Sequence, residues 1–571
     1  MNSLIKLQFN MKHKILIGLM LSLFSTTGII AQCGFLPTCP TTDYLKFGMG
    51  STTSGTVIEY DNFISAFHST CVRTSSGDYK TWGEQMSNTG TDLLAPTIIN
   101  VTNYPALTGN VLKVHLASDF SNVVQGVLLS TTGLFAWATE GTLLDASITT
   151  SATFQKLTIN GQTNGLPAGV TPTDVKMLFS TFHTLAMVTC SGDVWVITQQ
   201  GENTGTGLTG AITGAAASQW YRVTQATAGN PALSNVIQVR GSENTLVALK
   251  SDGTLWTWGA ETFLGNTTAM ASRNRATQMT LPSVNPIKMI GATRDNTSNR
   301  SSYYVLNSNG NLYSLGENGD RQLGDWSTTD RLVWVQPRYT SATGLVMSNI
   351  HWISPQEHDS RYANINVLTV DSTNYNWGAA DGEMLGRGVG TFNPGIPLGI
   401  TATDKILAVE TGGHTSMLAK KCEDFFGYVG HRIRGSMGDG TATTATESSY
   451  TFATAIVYIC GASTIDVAVS GTPTFGPTGL YCNGTSTDLL PSPSGGVLSI
   501  SSGPATLAGT IITFTGTGTT TVNVQYLLAL PGCPVVKTAT TTLLTENCSL
   551  PLYVVKPICT FKHKQLRTFS F

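Results

Sequence analysis

Charged residues are scarce in this chain. Only 12% of its 571 residues are charged, and 32 Lys and Arg nearly balance 34 Asp and Glu. Proteins that bind nucleic-acid phosphates usually carry a dense patch of Lys and Arg. The composition therefore predicts no nucleic-acid partner.

The sequence motifs of several enzyme and cofactor classes are also missing. The sequence has no Cys-x-x-Cys pair, no Gly-x-Ser-x-Gly and no His-Glu-x-x-His, so it gives no sign of a thiolate zinc site or of two common hydrolase classes. Gly205–Gly210 matches Gly-x-Gly-x-x-Gly, but no helix start follows it, as dinucleotide binding requires. We expect no cofactor, no metal and no catalytic centre.

Long apolar runs are absent after the N-terminal region. Lys12–Lys14 form a basic start and Ile15–Phe24 an apolar core, a pattern typical of an export signal. We predict cleavage near Ala31 and a secreted or outer-surface protein. A lipid anchor at Cys33 is the alternative, for which Gln32 is a poor preceding residue.

Export permits disulfides. The chain has ten cysteines, and four of them cluster in its C-terminal part: Cys460, Cys482, Cys533 and Cys548. At least one bridge is predicted among these four, and the three possible pairings stay open.

Glycine and short apolar runs are plentiful, and they recur in register. Residues Glu243–Gly259 read as an apolar strand, a Ser-Asp-Gly turn and a second strand that ends in Trp-Gly, which is a β-hairpin pattern. Seven such units follow one another at intervals of 51 to 62 residues, with the Trp position occupied by Trp82, Trp137, Ile197, Trp258, Leu315, Trp377 and Tyr428.

A repeat of this length with three or four strands is one blade of a β-propeller. We predict an all-β chain with a seven-bladed propeller at 58–455, after a signal at 1–31 and an N-terminal segment at 32–57. Two ways of closing the ring remain open: pairing of 44–56 with the last blade, or its completion by 450–458.

The repeats resemble those of the regulator of chromosome condensation family. The resemblance covers roughly 58–440 and rests on Gly413-His414-Thr415, Gly253–Gly259 and the loop Gly316–Gly324. It implies the propeller fold. The type member of that family acts on a nuclear GTPase and on chromatin, a function that does not fit an exported and weakly charged chain. Other propellers similar to this family are secreted and bind proteins, some as enzyme inhibitors.

The pattern changes from about Tyr450. Short alternating runs such as Val497–Ile500, Ile511–Phe514 and Thr521–Tyr526 predict a β-sandwich at 456–548. Tyr481-Cys482-Asn483-Gly484 resembles a segment of immunoglobulin-like adhesin modules. An atypical basic tail follows at 549–571.

The aromatic and histidine residues divide into two groups. Those in register are predicted to be structural anchors of the repeats: His68, Trp82, Trp137, His183, Trp258, Gly316, Trp377 and His414. Those outside the register form the candidate binding surface, because aromatics dominate interface hot spots: Trp220, Tyr221, Trp326, Trp334 and Trp352. The alternative is that these five pack between blades. Glu357-His358-Asp359 is predicted to be a solvated loop rather than a metal site.

These features favour a binding or adhesion protein of the cell exterior that holds a protein or glycan with its propeller loops. A secreted enzyme inhibitor and a carbohydrate-active enzyme are the alternatives. Convergence of two carboxylates, or of a carboxylate and a histidine, at the channel mouth would favour an enzyme.

Overall fold

A computed structural model describes residues 62–548, with gaps at 75, 120–122, 139–151, 182, 296–297, 299, 359–361, 421–424, 458, 460–479, 492–496 and 530–535. The predicted signal, the segment 32–57, Cys460, Cys533, Asp359 and the tail 549–571 lie outside the described residues. Chain contacts divide the protein into two compact units, 1–470 and 471–571. None of the described segments forms a helix long and apolar enough to cross a membrane.

The predicted hairpins are present, and each belongs to a four-stranded antiparallel sheet whose strands follow one another in the chain. Sheet 1 contains β1 (Phe63–Ala66), β2 (Ser69–Arg73), β3 (Tyr79–Gly83) and β4 (Leu93–Ile98). Sheet 2 contains β5 (Val111–Asp119), β6 (Val123–Ser130), β7 (Gly133–Ala138) and β8 (Gln155–Lys156). Sheet 3 contains β9 (Val175–Ser180), β10 (Thr184–Thr189), β11 (Val194–Thr198) and β12 (Tyr221–Arg222). Sheet 4 contains β13 (Val236–Ser242), β14 (Thr245–Lys250), β15 (Leu255–Thr262) and β16 (Ala271–Gln278).

The pattern continues through three more sheets. Sheet 5 contains β17 (Ile287–Asp295), β18 (Arg300–Asn307), β19 (Leu312–Gly316) and β20 (Arg331–Val335). Sheet 6 contains β21 (Ile350–Pro355), β22 (Asn364–Thr369), β23 (Asn374–Ala380) and β24 (Gly390–Gly395). Sheet 7 contains β25 (Ile406–Thr411), β26 (Thr415–Lys420), β27 (Phe425–Arg432) and β28 (Ala445–Ile456). Short 3₁₀ helices lie at Pro172–Asp174, Gly201–Thr204 and Gly214–Ala216.

The seven sheets form a closed ring. Seven buried apolar clusters each draw their residues from two consecutive sheets. The cluster that joins sheet 7 to sheet 1 packs Met417 and Tyr428 against Phe63 and Trp82. The predicted all-β propeller is therefore confirmed. Residues 445–456 supply the fourth strand of sheet 7, while 44–56, the other segment predicted to close the ring, lies outside the described residues.

A hydrogen bond between neighbouring sheets explains why the repeats pair a Trp with a glycine-rich loop. Trp377 donates its indole N–H to the carbonyl of Gln322, at 2.8 Å, in the loop after β19 of the preceding sheet. Gly324 in that loop has a φ of 67°, and a Cβ there would lie 2.8 Å from the Trp377 Nε1. The loop thus needs glycine in order to receive the next indole. Trp82 and Trp258 make the equivalent bonds to Ser436 and Asn203.

The connections of the ring lie on two faces. Backbone hydrogen bonds join the start of a sheet to the second-to-third-strand turn of the sheet before it, as from Ile350 N to Gly310 O (3.0 Å) and from Ile406 N to Ser372 O (2.8 Å). We call this side the connection face. The opposite side, the latch face, carries the first-to-second-strand turns and the glycine-rich loops between third and fourth strands.

The C-terminal unit contains two small sheets. The strands are β29 (Leu480–Cys482), β30 (Ser486–Asp488), β31 (Val497–Ser502), β32 (Ala505–Ala508), β33 (Ile511–Phe514), β34 (Thr520–Ala529) and β35 (Val536–Glu546). Their orders are β29-β35-β34-β31 and β30-β33-β32. Both sheets contribute to one core, through Ile512 and Phe514 on one side and Val522 and Leu543 on the other. The immunoglobulin-like assignment stays a prediction.

A disulfide joins Cys482 to Cys548 in this unit. The prediction of at least one bridge among the four clustered cysteines is confirmed. Cys71, in contrast, is a free thiol buried in sheet 1.

Candidate functional site

The first strands of the sheets line the centre of the ring, and the chain itself fills that centre. The segment Gln356–His358 follows β21 of sheet 6 and is buried, with Glu357 0% and His358 1% exposed. We call it the channel segment. Its burial shows that the prediction of a solvated loop at Glu357-His358 was wrong. No local pattern could show this burial, because the partners of the segment come from five other sheets.

These partners fix the channel segment in place. Glu357 pairs with Arg240 of sheet 4 and accepts the backbone N–H of Ala292 of sheet 5 at 3.0 Å. The His358 carbonyl accepts the N–H and the hydroxyl of Ser118 of sheet 2, at 3.0 and 3.1 Å.

The His358 imidazole extends the network to sheets 3 and 7. Its Nδ1 lies 3.3 Å from the Ser180 carbonyl, and its Nε2 lies 3.4 Å from Glu410 Oε1. Glu357 and His358 thus contact five other sheets, which makes the channel segment a polar plug of the ring.

The plug is held together by buried charge. Burial raises the pKa of Glu357, opposed by the nearby Arg240 guanidinium. His115, whose ring centroid lies 5.0 Å from that of His358, has a pKa lowered well below its ordinary value by burial, by His358 and by Arg240. Its imidazole is therefore neutral at pH 7.

A second polar cluster lies on the latch face, where sheet 7 meets sheet 1. One ring nitrogen from each of His68, His414 and His431 lies within 4.8 Å of the others. His68 Nε2 is 3.2 Å from His431 Nδ1, and His68 Nδ1 is 3.0 Å from Glu84 Oε2. We call these three imidazoles the histidine cluster.

The repeat itself positions this cluster. His68 and His414 occupy equivalent first turns, and their carbonyls accept the backbone N–H of Glu84 (3.2 Å) and His431 (3.1 Å), which follow Gly83 and Gly430. Strand pairing places Val429 of sheet 7 where Trp82 lies in sheet 1, so the prediction that Tyr428 takes the Trp position was wrong by one residue. Gly83 has a φ of 102°, and a Cβ there would lie only 2.1 Å from the His68 oxygen. The glycine thus allows the next residue, Glu84 in sheet 1 and His431 in sheet 7, to lie against the first turn of its sheet.

The electrostatics of the cluster follow from burial. Burial, His431 and Arg434 lower the pKa of His68 well below its ordinary value, so its ring is neutral at pH 7. Burial raises the pKa of Glu84 to about 7, although the ion pair with Arg434 opposes the shift. The Phe67 ring lies 4.1 Å from that of His68 and 4.3 Å from that of His414, measured between centroids.

The sequence placed His68, His183 and His414 at the same repeat position, and the structure brings two of them together. Sheets 1 and 7 are neighbours in the closed ring, so His68 and His414 meet. His183 lies in sheet 3, apart from this cluster. His431 and Glu84 could not be singled out from the sequence, because their convergence depends on ring closure.

The anchors and the candidate binding aromatics lie at different depths. Trp82, Trp137, Trp258 and Trp377 are among the largest fully buried side chains. The five candidate binding aromatics are half-buried. All four indoles donate to a backbone carbonyl of another sheet or of an intersheet connection: Trp220 to Gly165, Trp326 to Arg338, Trp334 to Thr280 and Trp352 to Val409. The Tyr221 hydroxyl donates to the Ala216 carbonyl. These contacts favour packing, and the binding role stays a prediction.

Of the ten large apolar side chains that are exposed in the described part of the ring, six lie on the connection face: Val101, Leu281, Val284, Leu345, Val370 and Leu398, with exposures from 40% to 101%. Two lie on the latch face, Leu208 and Val389, and two on the outer strand β20, Leu332 and Val333. A groove of about 770 Å³ opens on the same face between sheets 1 and 2, lined among others by Arg73, Asp78, Tyr79 and Val101.

No protein-family model matches this chain, and no curated protein is similar to it in sequence. Solved propeller structures are similar in fold. Human WBSCR16 is 13% identical, with 64% of this chain and 85% of that chain covered and a TM-score of 0.47. Prp20p from Saccharomyces cerevisiae, described with its binding to Gsp1p and histones, is 12% identical, with coverages of 73% and 90% and a TM-score of 0.48. Yeast RCC1 (Prp20), solved with Kap60, is 12% identical, with coverages of 68% and 85% and a TM-score of 0.46.

Proposed function

We propose that this chain is an exported binding protein that holds a protein partner on the connection face of its propeller. The observation that carries the proposal is the concentration of exposed apolar side chains on that face. Single exposed apolar residues are ordinary, whereas apolar residues that together form a patch mark an interaction surface, and we propose that these connections form one.

The plugged channel supports the same proposal. Propellers often bind ligands at the central channel, but here Gln356, Glu357 and His358 are buried among the first strands. A ligand would have to displace the Arg240–Glu357 pair in order to enter, and breaking a buried ion pair is costly. The outer surface of the connections is the accessible alternative.

A protein fits this surface better than a glycan. Sugar-binding sites stack the ring on an exposed aromatic face, whereas the five candidate aromatics are half-buried and their indole or hydroxyl groups are hydrogen-bonded. Aliphatic side chains such as Val284 and Leu345, which are 101% and 81% exposed, suit an apolar protein patch.

Two carboxylate–histidine pairs bear on the enzyme alternative: His358 with Glu410 and His68 with Glu84. Convergence of this kind is what the sequence analysis named as favouring an enzyme. However, the side chains of both pairs are at most 5% exposed, whereas a general base must reach its substrate. We therefore retain binding without catalysis as the proposal. Turnover of a glycan or peptide, abolished by Glu410→Gln, would contradict it.

Sheet 6 offers a matched pair of variants for testing the proposal. Val370 lies on the connection face and is 68% exposed, while Val389 lies on the latch face and is 67% exposed. Val370→Asp, combined with Leu345→Asp, should abolish capture of the partner that the wild-type chain captures from the native medium or cell surface. Val389→Asp should leave capture unchanged. Equal capture by all three proteins would overturn the assignment of the binding face.

A further inference from the structure

We propose that His68, His414 and His431 form a zinc-binding site at the junction where the ring closes. Three histidines with a fourth, open position are a known zinc ligand set. The inference concerns the latch face and is independent of the proposed binding role of the connection face.

The spacing of the ring nitrogens fits one metal ion. Two ligands of a tetrahedral zinc, each about 2.0–2.1 Å from the metal, lie about 3.3 Å apart. His68 Nε2 and His431 Nδ1 are 3.2 Å apart, and a nitrogen of His414 lies within 4.8 Å of both. Zinc binding would bring the His414 nitrogen to about the same distance from the other two.

An outer partner is already in place for one ligand. Metal-bound histidines usually donate their other N–H to a carboxylate, which fixes the tautomer and orients the ring. His68 Nδ1 lies 3.0 Å from the buried carboxylate of Glu84, so the Nε2 of His68 faces the other two rings. Arg434 pairs with the same carboxylate, so the Glu84 carboxylate compensates the positive charge of the Arg434 guanidinium next to the site.

The fold holds the ligands on rigid elements. His68 and His414 are buried in the first turns of adjacent sheets, while His431, on β27, is half-buried and gives solvent a route to the site. Within the part of the chain that the structure describes, the group contains only these three metal-ligating side chains. Water or an external ligand would take the fourth position.

With His68 Nδ1 donating to the ionised Glu84, the His68–His431 contact of the metal-free protein is a hydrogen bond that His431 Nδ1 donates to His68 Nε2. From that state, zinc at both nitrogens requires His431 to move its proton from Nδ1 to Nε2. The change is a tautomer shift, and neither ring has to gain or lose a proton. A neutral imidazole ligates in either form.

The experiment uses the mature chain without an affinity tag, stripped of metal by a chelator and titrated with zinc by calorimetry. The wild-type protein should bind one equivalent. His431→Ala should abolish this binding, and its half-exposed position favours retention of the fold. Glu84→Gln should weaken binding by roughly 10–100-fold while leaving all three ligands present.

His183→Ala is the matched control, because His183 occupies the equivalent turn in sheet 3 and should not affect zinc binding. Cobalt gives a second measurement: its visible absorption should report a tetrahedral site in the wild type and in His183→Ala, and not in His431→Ala. Folded wild-type protein that binds no zinc, or equal binding by wild type and His431→Ala, would overturn the proposal.

Discussion

The ring and the C-terminal unit are stabilised in different ways. The ring repeats one interface seven times, with an apolar cluster at each junction and an indole–carbonyl bond at several of them. Among its described residues, the C-terminal unit has a core of six buried residues and a disulfide whose cysteines are 66 residues apart. Repetition spreads the free energy of folding over many equivalent contacts, whereas the described part of the smaller unit combines one core with a covalent link between distant residues.

The two units can be followed separately in one sample. All ten Trp residues of the chain lie between 82 and 377, so tryptophan fluorescence reports only the ring. Amide hydrogen exchange at β34 and β35 reports the C-terminal unit.

The largest expected effect breaks the buried charge at the centre of the ring. Glu357→Gln leaves Arg240 buried without its counter-charge, and we expect the ring to lose about 3–5 kcal/mol of unfolding free energy. Denaturant unfolding followed by tryptophan fluorescence measures the loss. The C-terminal unit should keep its hydrogen-exchange rates.

A double variant separates charge from packing. Arg240→Met with Glu357→Met removes both charges, so most of the lost stability should return, because two well-packed apolar side chains can replace a buried ion pair. If the double variant is as unstable as Glu357→Gln, the plug depends on side-chain shape rather than on charge.

The next prediction destabilises the C-terminal unit and should leave the ring unchanged. Cys548→Ser removes the Cys482–Cys548 bridge, and a loop of 66 residues predicts a loss of about 4 kcal/mol through the entropy of the unfolded state. Hydrogen exchange in β34 should become faster by several orders of magnitude. The tryptophan transition of the ring should not move, and a shift in it would mean that the ring also depends on the bridge.

A smaller effect tests whether the indole bonds hold the sheets together. Trp377→Phe leaves the Gln322 carbonyl without the indole N–H, and we expect a loss of about 1–2 kcal/mol from the ring. Trp137→Phe is the control, because the buried Trp137 Nε1 has no acceptor among the described residues. Equal losses in the two variants would mean that the effect comes only from the smaller volume of the Phe side chain relative to Trp.

Local patterns predicted much of the ring. The spacing of the Trp-Gly positions, from Trp82 to Tyr428, gave the number of sheets, since each hairpin is specified by its own alternation and turn residues. The plug and the histidine cluster could not be predicted, since Glu357 meets Arg240 across the channel and His68 meets His431 across the closure, 363 residues apart in the chain. Such contacts depend on closure of the ring, which no local pattern records.

The smallest expected effect concerns pH, and it too should be confined to the ring. Glu317 follows β19 in a glycine-rich loop of sheet 5, and burial, reinforced by Asp295, Asp330 and Asp320, raises its pKa from 4.5 to about 8. Between these two pH values the folded ring keeps a proton on Glu317 that the unfolded chain has released, so the contribution of Glu317 to the stability of the ring falls as pH rises from 4.5 to 8 and is level above that. Glu317→Gln removes the titrating group. We expect the wild-type ring to lose on the order of 1–2 kcal/mol more than the variant across this range, a figure reduced from the full shift to allow for solvent screening. Unfolding midpoints by tryptophan fluorescence at several pH values measure the difference.

Parallel pH profiles for the two proteins would show that Glu317 is already ionised at neutral pH, with its charge compensated by the backbone N–H of Gly319 and by the amide of Gln322.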